Sequence, residues 1–322
     1  MSTPFFSVIV PTHDRPAELV RCLKSLARQT WTDFEVVVVN DGEIDVSGIV
    51  KASGLERAAL LCTAGHTGPS AARNAGLAAA SGRMVAYLDD DDIFRPDHLE
   101  RHAEVYVAQP ETRVVYSDAE RISTPGGTVD VPYSSDFDAD ALMIENYIPI
   151  ICLTHGRDCL DEVGLFEPSL HYLEDWDLFI RLSLRWPFVH IPEVTAAFFE
   201  DGSGANVREQ YADRFVESMN TVYARSNALL ADDPVRLSRI NDLRLCRVAR
   251  MTYSTGKMCE EAGDLDRAAS AYDLAIKYDP RSEYYLALAR MLRARGDRIG
   301  ALTAIQTAEH LRAMEQEGGE AE

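Results

Sequence analysis

The chain has 322 residues, enough for one large domain and a smaller companion, and 46% hydrophobic with 26% charged residues is the composition of a folded protein. A formal net charge of −20 opposes contact with a phosphate backbone, which excludes a general nucleic-acid binder and weakens attraction to anionic lipid. No apolar run reaches the roughly 20 residues of a membrane-spanning helix, and the N-terminal residues lack a basic segment followed by an apolar stretch and a small-residue cleavage site, so a cytoplasmic location is expected, with at most peripheral contact at the inner face of a membrane.

Phe6 to Val10 is a short apolar, β-branched run stopped by Pro11, and Glu18 to Ala27 sets Leu19, Cys22, Leu23 and Leu26 at helical spacing. Phe34 to Val39 is too uniformly apolar for a strand with one wet face, so it reads as a buried parallel strand ending at Asn40 and Asp41. Ala58 to Cys62 predicts a third strand, Ala71 to Ala80 a small-residue helix closed by Ser81 and Gly82, and Met84 to Leu88 a fourth strand.

Alternating strands and helices predict an α/β domain with a mostly parallel sheet, whose ligands sit beyond the carboxyl ends of the strands. The polar residues at those ends are Thr12, His13 and Asp14, then Asn40 and Asp41, then Asp89 to Asp92.

Further along, Val114 to Tyr116 reads as a strand, Pro125 to Gly127 as a turn, and Tyr133 to Asp140 as a loop able to shape a second substrate pocket. Trp176 to Trp186 reads as a helix, Phe188 to Ile191 as a strand, and Asp201 to Asn206 as a mobile Gly/Ser-rich segment. From about Arg208 the pattern is helical. Gly256, Gly263, Ala268, Tyr272, Ala275 and Pro280 fall at tetratricopeptide spacing, and Gly296, Ala301 and Ala308 echo them, so degenerate repeats are expected over about 249–315. They would serve as a packing module, or as a surface for a protein partner or a second copy of the chain. The expected division is a catalytic domain over 1–220 and a helical domain over 221–322. The six cysteines lack the paired spacing of a zinc site and read as reduced, mostly buried small hydrophobes.

Four adjacent carboxylates after a buried strand raise one another's pKa unless a cation neutralises them, and a hard ion, Mg²⁺ or Mn²⁺, suits oxygen ligands. The competing reading is a solvated acidic turn in which Asp92 caps the backbone near Phe94.

The blocks Ser7 to Arg15 (SVIVPTHDR), Val36 to Gly42 (VVVVNDG), Gly68 to Gly76 (GPSAARNAG), Tyr87 to Pro96 (YLDDDDIFRP) and Gly164 to Arg181 (GLFEPSLHYLEDWDLFIR) resemble the family 2 glycosyltransferases of the GT-A fold. The resemblance implies a Rossmann-like sheet and transfer of a sugar, with inversion, from a nucleotide diphosphate to an acceptor hydroxyl. It implies that Pro11 and His13 line the base pocket, that Asp41 accepts from the base imide, that Arg73 sits by the donor and that Asp90 reaches the ribose. Asp91 would be the main metal ligand and Asp89 would open the Asp-x-Asp motif. Thr12 and Asp14 belong to the same donor-binding group. The leaving diphosphate needs charge neutralisation, and the attacking hydroxyl must lose its proton to a carboxylate across the anomeric centre. Glu174 and Asp175 are the candidates; the resemblance assigns the base to Asp175 and an orienting role to Glu174.

Read without the resemblance, His13 is equally a capping or core histidine, Arg73 a helix residue paired with an acid, and Glu174 and Asp175 ordinary acids at a helix N-terminus. Trp176 is either a stacking face for an acceptor or core. One departure is that a histidine of many relatives near Phe198 to Ser203 is matched here by Glu200, with His190 or His171 as substitutes. UDP or dTDP is the expected nucleotide, because an imide contact does not separate uracil from thymine. The expected role lies in polysaccharide or glycolipid assembly. The alternatives are a sugar-phosphate nucleotidyltransferase, disfavoured by a first loop reading PTHDRP instead of a Gly-rich cradle, and a non-catalytic nucleotide-binding scaffold carrying helical repeats.

Overall fold

The structure, a computed structural model, describes residues 3–124, 127–201 and 212–319. The chain divides into two compact units, Met1–Leu229 and Leu230–Glu322. The turn expected at 125–127 lies, apart from Gly127, outside the described residues, and so does the Gly/Ser-rich segment beyond Asp201.

The first unit is built on one sheet. Its strands are β1 (Phe6–Thr12), β2 (Phe34–Asn40), β3 (Ala58–Cys62), β4 (Met84–Tyr87), β5 (Ile93–Phe94), β6 (Val114–Thr124), β7 (Thr128–Tyr133), β8 (Leu153–Gly156) and β9 (Phe188–Asp201). They lie in the order β3-β2-β1-β4-β8-β6-β9-β5, with β7 on β6. The half β3-β2-β1-β4 is parallel, as expected from its alternation with helices. The other half is mixed. β8 is antiparallel to both β4 and β6, β9 runs parallel to β6, and the two-residue β5 lies antiparallel on β9. β8 is reached from the β6–β7 hairpin through the short helix Ala139–Ile144 and a single 3-10 turn, Ile150–Cys152.

Helices α1 (Pro16–Leu26), α2 (Ser47–Ala52), α3 (Pro69–Ala79), α4 (His98–Ala108), α5 (Ala139–Ile144), α6 (Cys159–Val163), α7 (Glu174–Ser183) and α8 (Ala212–Leu229) complete this unit. α1 buries Leu19, Cys22, Leu23 and Leu26. α3 lies so close to the sheet that a Cβ on Gly76 would stand 2.6 Å from Ile9 Cγ2. β1 continues through Pro11, which sits opposite Val39 in the parallel register. α4 was not legible, because its buried face carries His98 and His102 beside Leu99, Ala103 and Tyr106; each imidazole meets a threonine hydroxyl, Thr195 and Thr154 respectively. Of the cysteines, Cys22, Cys152 and Cys159 are buried, Cys246 and Cys259 partly so, and Cys62 is exposed at the end of β3.

The second unit consists of α9 (Pro234–Glu261), α10 (Leu265–Tyr278), α11 (Ser282–Ala294) and α12 (Arg298–Gly319). Small residues let these helices approach: Gly256 would place a Cβ 2.5 Å from the Tyr272 ring, and Tyr272 packs with Ala268, Ala269, Ala287 and Met291. The turns α9–α10 and α11–α12 share one geometry. Gly263 and Gly296 have φ of 80° and 87°, and the next amide, of Asp264 or Asp297, donates to a carbonyl five residues back, Cys259 or Leu292. Among the described residues no helix is long and apolar enough to cross a membrane.

Candidate active site

The carboxyl ends of β1, β2 and β4 and the start of α3 enclose a cavity of about 480 Å³. Pro11, Thr12, His13, Asp41, Arg73, Asp89, Asp90 and Asp91, separated by up to 80 residues in sequence, all line it. This is the crevice that an open parallel sheet forms where its strand order reverses about β1 and β4.

Asp41 ends β2 and organises the wall. Its Oδ1 accepts from the Thr63 and Thr67 hydroxyls and the Thr67 amide, and its Oδ2 from the Gly68 amide at 2.8 Å. Burial pushes its pKa up, but these donors outweigh burial and hold the carboxylate below its usual range. Its carbonyl accepts from the His66 amide at 2.9 Å and from His13 Nδ1 at 3.1 Å, which fixes that nitrogen as a donor. The His13 and His66 rings lie 4.5 Å apart. Thus Asp41 braces the loop from β3 to α3 and keeps lone pairs on Oδ2 toward the cavity side.

The acidic turn after β4 divides its work. Asp90 is buried and accepts from Thr12 Oγ1 at 2.7 Å. Burial pushes its pKa up to about 6, with the neighbouring Asp91 and Asp89 adding to the rise. Asp91 is raised by burial and then by Asp89. Asp92 is raised well above the usual range by burial, facing the Phe199 amide and not the cavity. Arg15 Nη1 lies 2.6 Å from Asp91 and 3.4 Å from Asp90, and Arg21 donates to the Asp91 carbonyl at 2.6 Å. Among the described residues no three His, Cys, Asp or Glu side chains converge as a metal-holding group.

Arg73, 4% exposed on α3, joins the turn to the far side of the site. Its Nη2 is 2.6 Å from Asp89 and its Nη1 bonds Glu174, which opens α7. Its buried Nε has no partner among the described residues. Burial opposes its charge, yet the two carboxylates hold its pKa above normal. Beside Glu174, Asp175 is partly buried, accepting from Asn146 Nδ2 at 3.0 Å and from the Trp176 amide at 2.7 Å. Burial, then the Glu174 charge, push Asp175 up to about 7. Leu173, which delivers both acids, sits in the left-handed region with φ 64°. His66 and Asp14, at φ 50° and 53°, are the other non-glycine residues there among those described.

Some expected residues stand elsewhere. Asp14 does not line the cavity: its Oδ1 accepts from the Glu43 and Ile44 amides and closes the loop after β2. Trp176 is core, 2% exposed, with its indole on the Leu142 carbonyl and its ring against Tyr223. Glu200 pairs with Arg121 at 3.3 Å, and His190 lies between Asp118 and Asp136, stacked on Tyr116; neither borders the cavity, and His171 is exposed outside it. Arg15, His66 and Gly68 line the cavity without having been singled out, and Asn146 holds Asp175. The first three follow strands β1 and β3, so the strand-end rule that selected Asp41 was the signal for them.

The sequence profile described as Glycosyl transferase family 2 matches residues 7–136. The glycosyltransferase YwdF of Bacillus subtilis (strain 168), itself uncharacterized, is 29% identical over 246 residues, spanning 71% of this chain and 90% of that protein. A PGL/p-HBAD biosynthesis glycosyltransferase of Mycobacterium tuberculosis (strain ATCC 25618 / H37Rv) is 30% identical over 215 residues, spanning 64% and 81%. Residues 1–349 of S. aureus TarS superpose with a TM-score of 0.61 at 18% identity, covering 95% of this chain and 91% of that one, and crystal structures of that fragment include complexes with UDP and UDP-GlcNAc. At that identity the superposition speaks for the fold, a curled mixed sheet with flanking helices of the GT-A kind, while the sequence relatives speak for the family. On the sequence relatives the chain is a glycosyltransferase and belongs to glycosyl transferase family 2.

Proposed function

We propose that the protein transfers a sugar, with inversion, from a UDP- or dTDP-sugar to an acceptor hydroxyl in the assembly of a polysaccharide or glycolipid. One observation carries this reading. The Asp89–Arg73–Glu174 chain of ion pairs ties the acidic turn of the nucleotide crevice to Asp175, a carboxylate whose affinity for a proton is raised to about 7. A base of that strength is matched to accepting a proton near neutral pH. The UDP and UDP-GlcNAc complexes of TarS, and relatives named for PGL/p-HBAD and O-antigen biosynthesis, support the donor class and the pathway class.

In this reading His13 stacks on the base and the remaining lone pair of Asp41 Oδ2 accepts from its imide. Thr12 orients Asp90 toward the ribose. The acceptor oxygen attacks the anomeric carbon, the bond to the diphosphate breaks, and the acceptor proton passes to Asp175. Arg73 pairs with Glu174 and so fixes the start of α7 that carries the base carboxylate.

A divalent cation, Mn²⁺ or Mg²⁺, fits the residues present. Burial, then mutual repulsion, raise Asp90 and Asp91, so a cation beside them would be favoured, and among the described residues Arg15 is the only cation whose ion pair reaches the Asp91 carboxylate. Mg²⁺ is commonly bound by one or two carboxylates with substrate phosphates completing its shell, so a two-aspartate set, Asp91 and Asp89, suffices without a third protein ligand. When bound, such an ion would supply charge neutralisation for the departing diphosphate. Within the second unit, the matching turns at Gly263 and Gly296 support a tetratricopeptide-like pair of repeats.

The test is calorimetric titration with UDP, dTDP, GDP and CDP, each with and without Mn²⁺. Binding of UDP or dTDP that requires the metal and is lost in Asp91→Ala is expected. Absence of binding to all four would remove the donor reading and leave only a partner-binding role through the helical repeats.

A further inference from the structure

A second cavity, of about 510 Å³, opens between α1 and the Ile93–Pro96 segment. Its walls are Arg21, Lys24 and Arg28, which follow one another at helical spacing, and Arg95 opposite; Val20 and Phe94 contribute apolar floor. No carboxylate lines it, although the unit Met1–Leu229 holds 36 Asp and Glu against 18 Lys and Arg. Four of those cations therefore converge in a unit whose charge as a whole is strongly negative. Arg21 is held by the Asp91 carbonyl and by the Phe199 ring 3.8 Å away, and Arg95 is held by Glu120. Lys24 and Arg28 are exposed, and among the described residues neither has an ion-pair or hydrogen-bond partner for its side-chain charge. Like charges gathered around one concavity repel unless an anion joins them.

We propose that this groove is a phosphate-ester site. Guanidinium forks and an ammonium suit the tetrahedral oxygens of such a group, and the apolar floor suits the carbon chain it is esterified to. A flat anionic membrane is a poorer match: none of the lining residues is a large exposed hydrophobic, and the unit as a whole is strongly acidic. Arg21 forms a wall of the groove and also binds the turn that lines the donor cavity, so a phosphate here lies beside the transfer site. The occupant is accordingly a phosphate ester carried by the acceptor, a step that rests on the proposed transfer; the phosphate site itself does not.

The experiment is a titration of the ¹⁵N-labelled full chain with inorganic phosphate and then glycerol 3-phosphate, followed by amide NMR, with UDP as a separate arm. Saturable shifts confined to residues 20–28 and 93–95 are expected. The double variant Lys24→Ala/Arg28→Ala should weaken them about tenfold or more while leaving UDP-induced shifts at Thr12, Asp41 and Gly68 unchanged. No saturable shift at the groove in the wild type, or equal affinity in the double variant, overturns the proposal. A response only to vesicles of anionic phospholipid, with none to the soluble esters, overturns it in favour of membrane contact. Loss of UDP shifts in the wild type would instead count against the donor reading and leave the groove result standing.

Discussion

Asp175 is fixed by two donors, the Asn146 side-chain amide and the Trp176 N–H in the first turn of α7, so its charge can be removed with little change of shape. Asp175→Asn should therefore retain UDP affinity while transfer falls by roughly 10²–10⁴-fold, the usual worth of a general base. Wild-type turnover in that variant would reject the assignment. The same carboxylate sets the pH response. Its proton affinity is raised, so the active, ionised form is lost as pH falls through about 7, and kcat/KM should drop about tenfold per pH unit below that point. A flat profile between pH 5 and 8, at about constant ionic strength, would detach the base role from this residue. At this scale the sequence was informative where a residue ended a strand and opaque where a partner came from afar. Asp41 could be singled out, but not its brace by Thr63 and Thr67, and Asp14 shared a loop with His13 without sharing its direction.

Among the elements, the parallel strands were readable because burial on both faces leaves them almost continuously apolar. β8 and the two-residue β5 were not, since each is too short to carry a period, and their direction depends on how the chain returns to the sheet. The join between strands depends on small residues. A Cβ on Gly82 would lie 2.5 Å from the Ser7 amide nitrogen and 2.6 Å from the Phe6 carbonyl carbon, both backbone atoms of the central strand that cannot rotate away. Gly82→Ala should cost about 1–3 kcal/mol of stability, read as a lower urea midpoint with an unchanged slope. No change in midpoint would mean that β1 and β4 are held apart more loosely than the register implies. Gly48, beside whose Cβ position nothing lies within 4 Å, serves as the control position.

For the molecule as a whole, the sequence announced one α/β unit followed by helices, placing the division at 220; the compact units part at Leu229, because α8 packs on α7. Composition could not reveal that step, since α8 is as helical in pattern as the helices after it. Among the described residues, the three non-glycine residues with left-handed backbone, Asp14, His66 and Leu173, stand in the loop after β1, in the loop before α3 and at the start of α7, all beside the cavity or its acids. Each such residue costs on the order of 1–2 kcal/mol and keeps its conformation only because the surrounding fold insists on it. Regions so constrained are the first to relax when global stability is eroded. In rising urea, UDP binding should vanish before the far-ultraviolet helical signal declines, and coincident loss of the two would show the rim to be as robust as the sheet beneath it. Should binding fail first on heating as well, this rim of three residues, and not the melting of the core, would set the temperature at which the protein stops working.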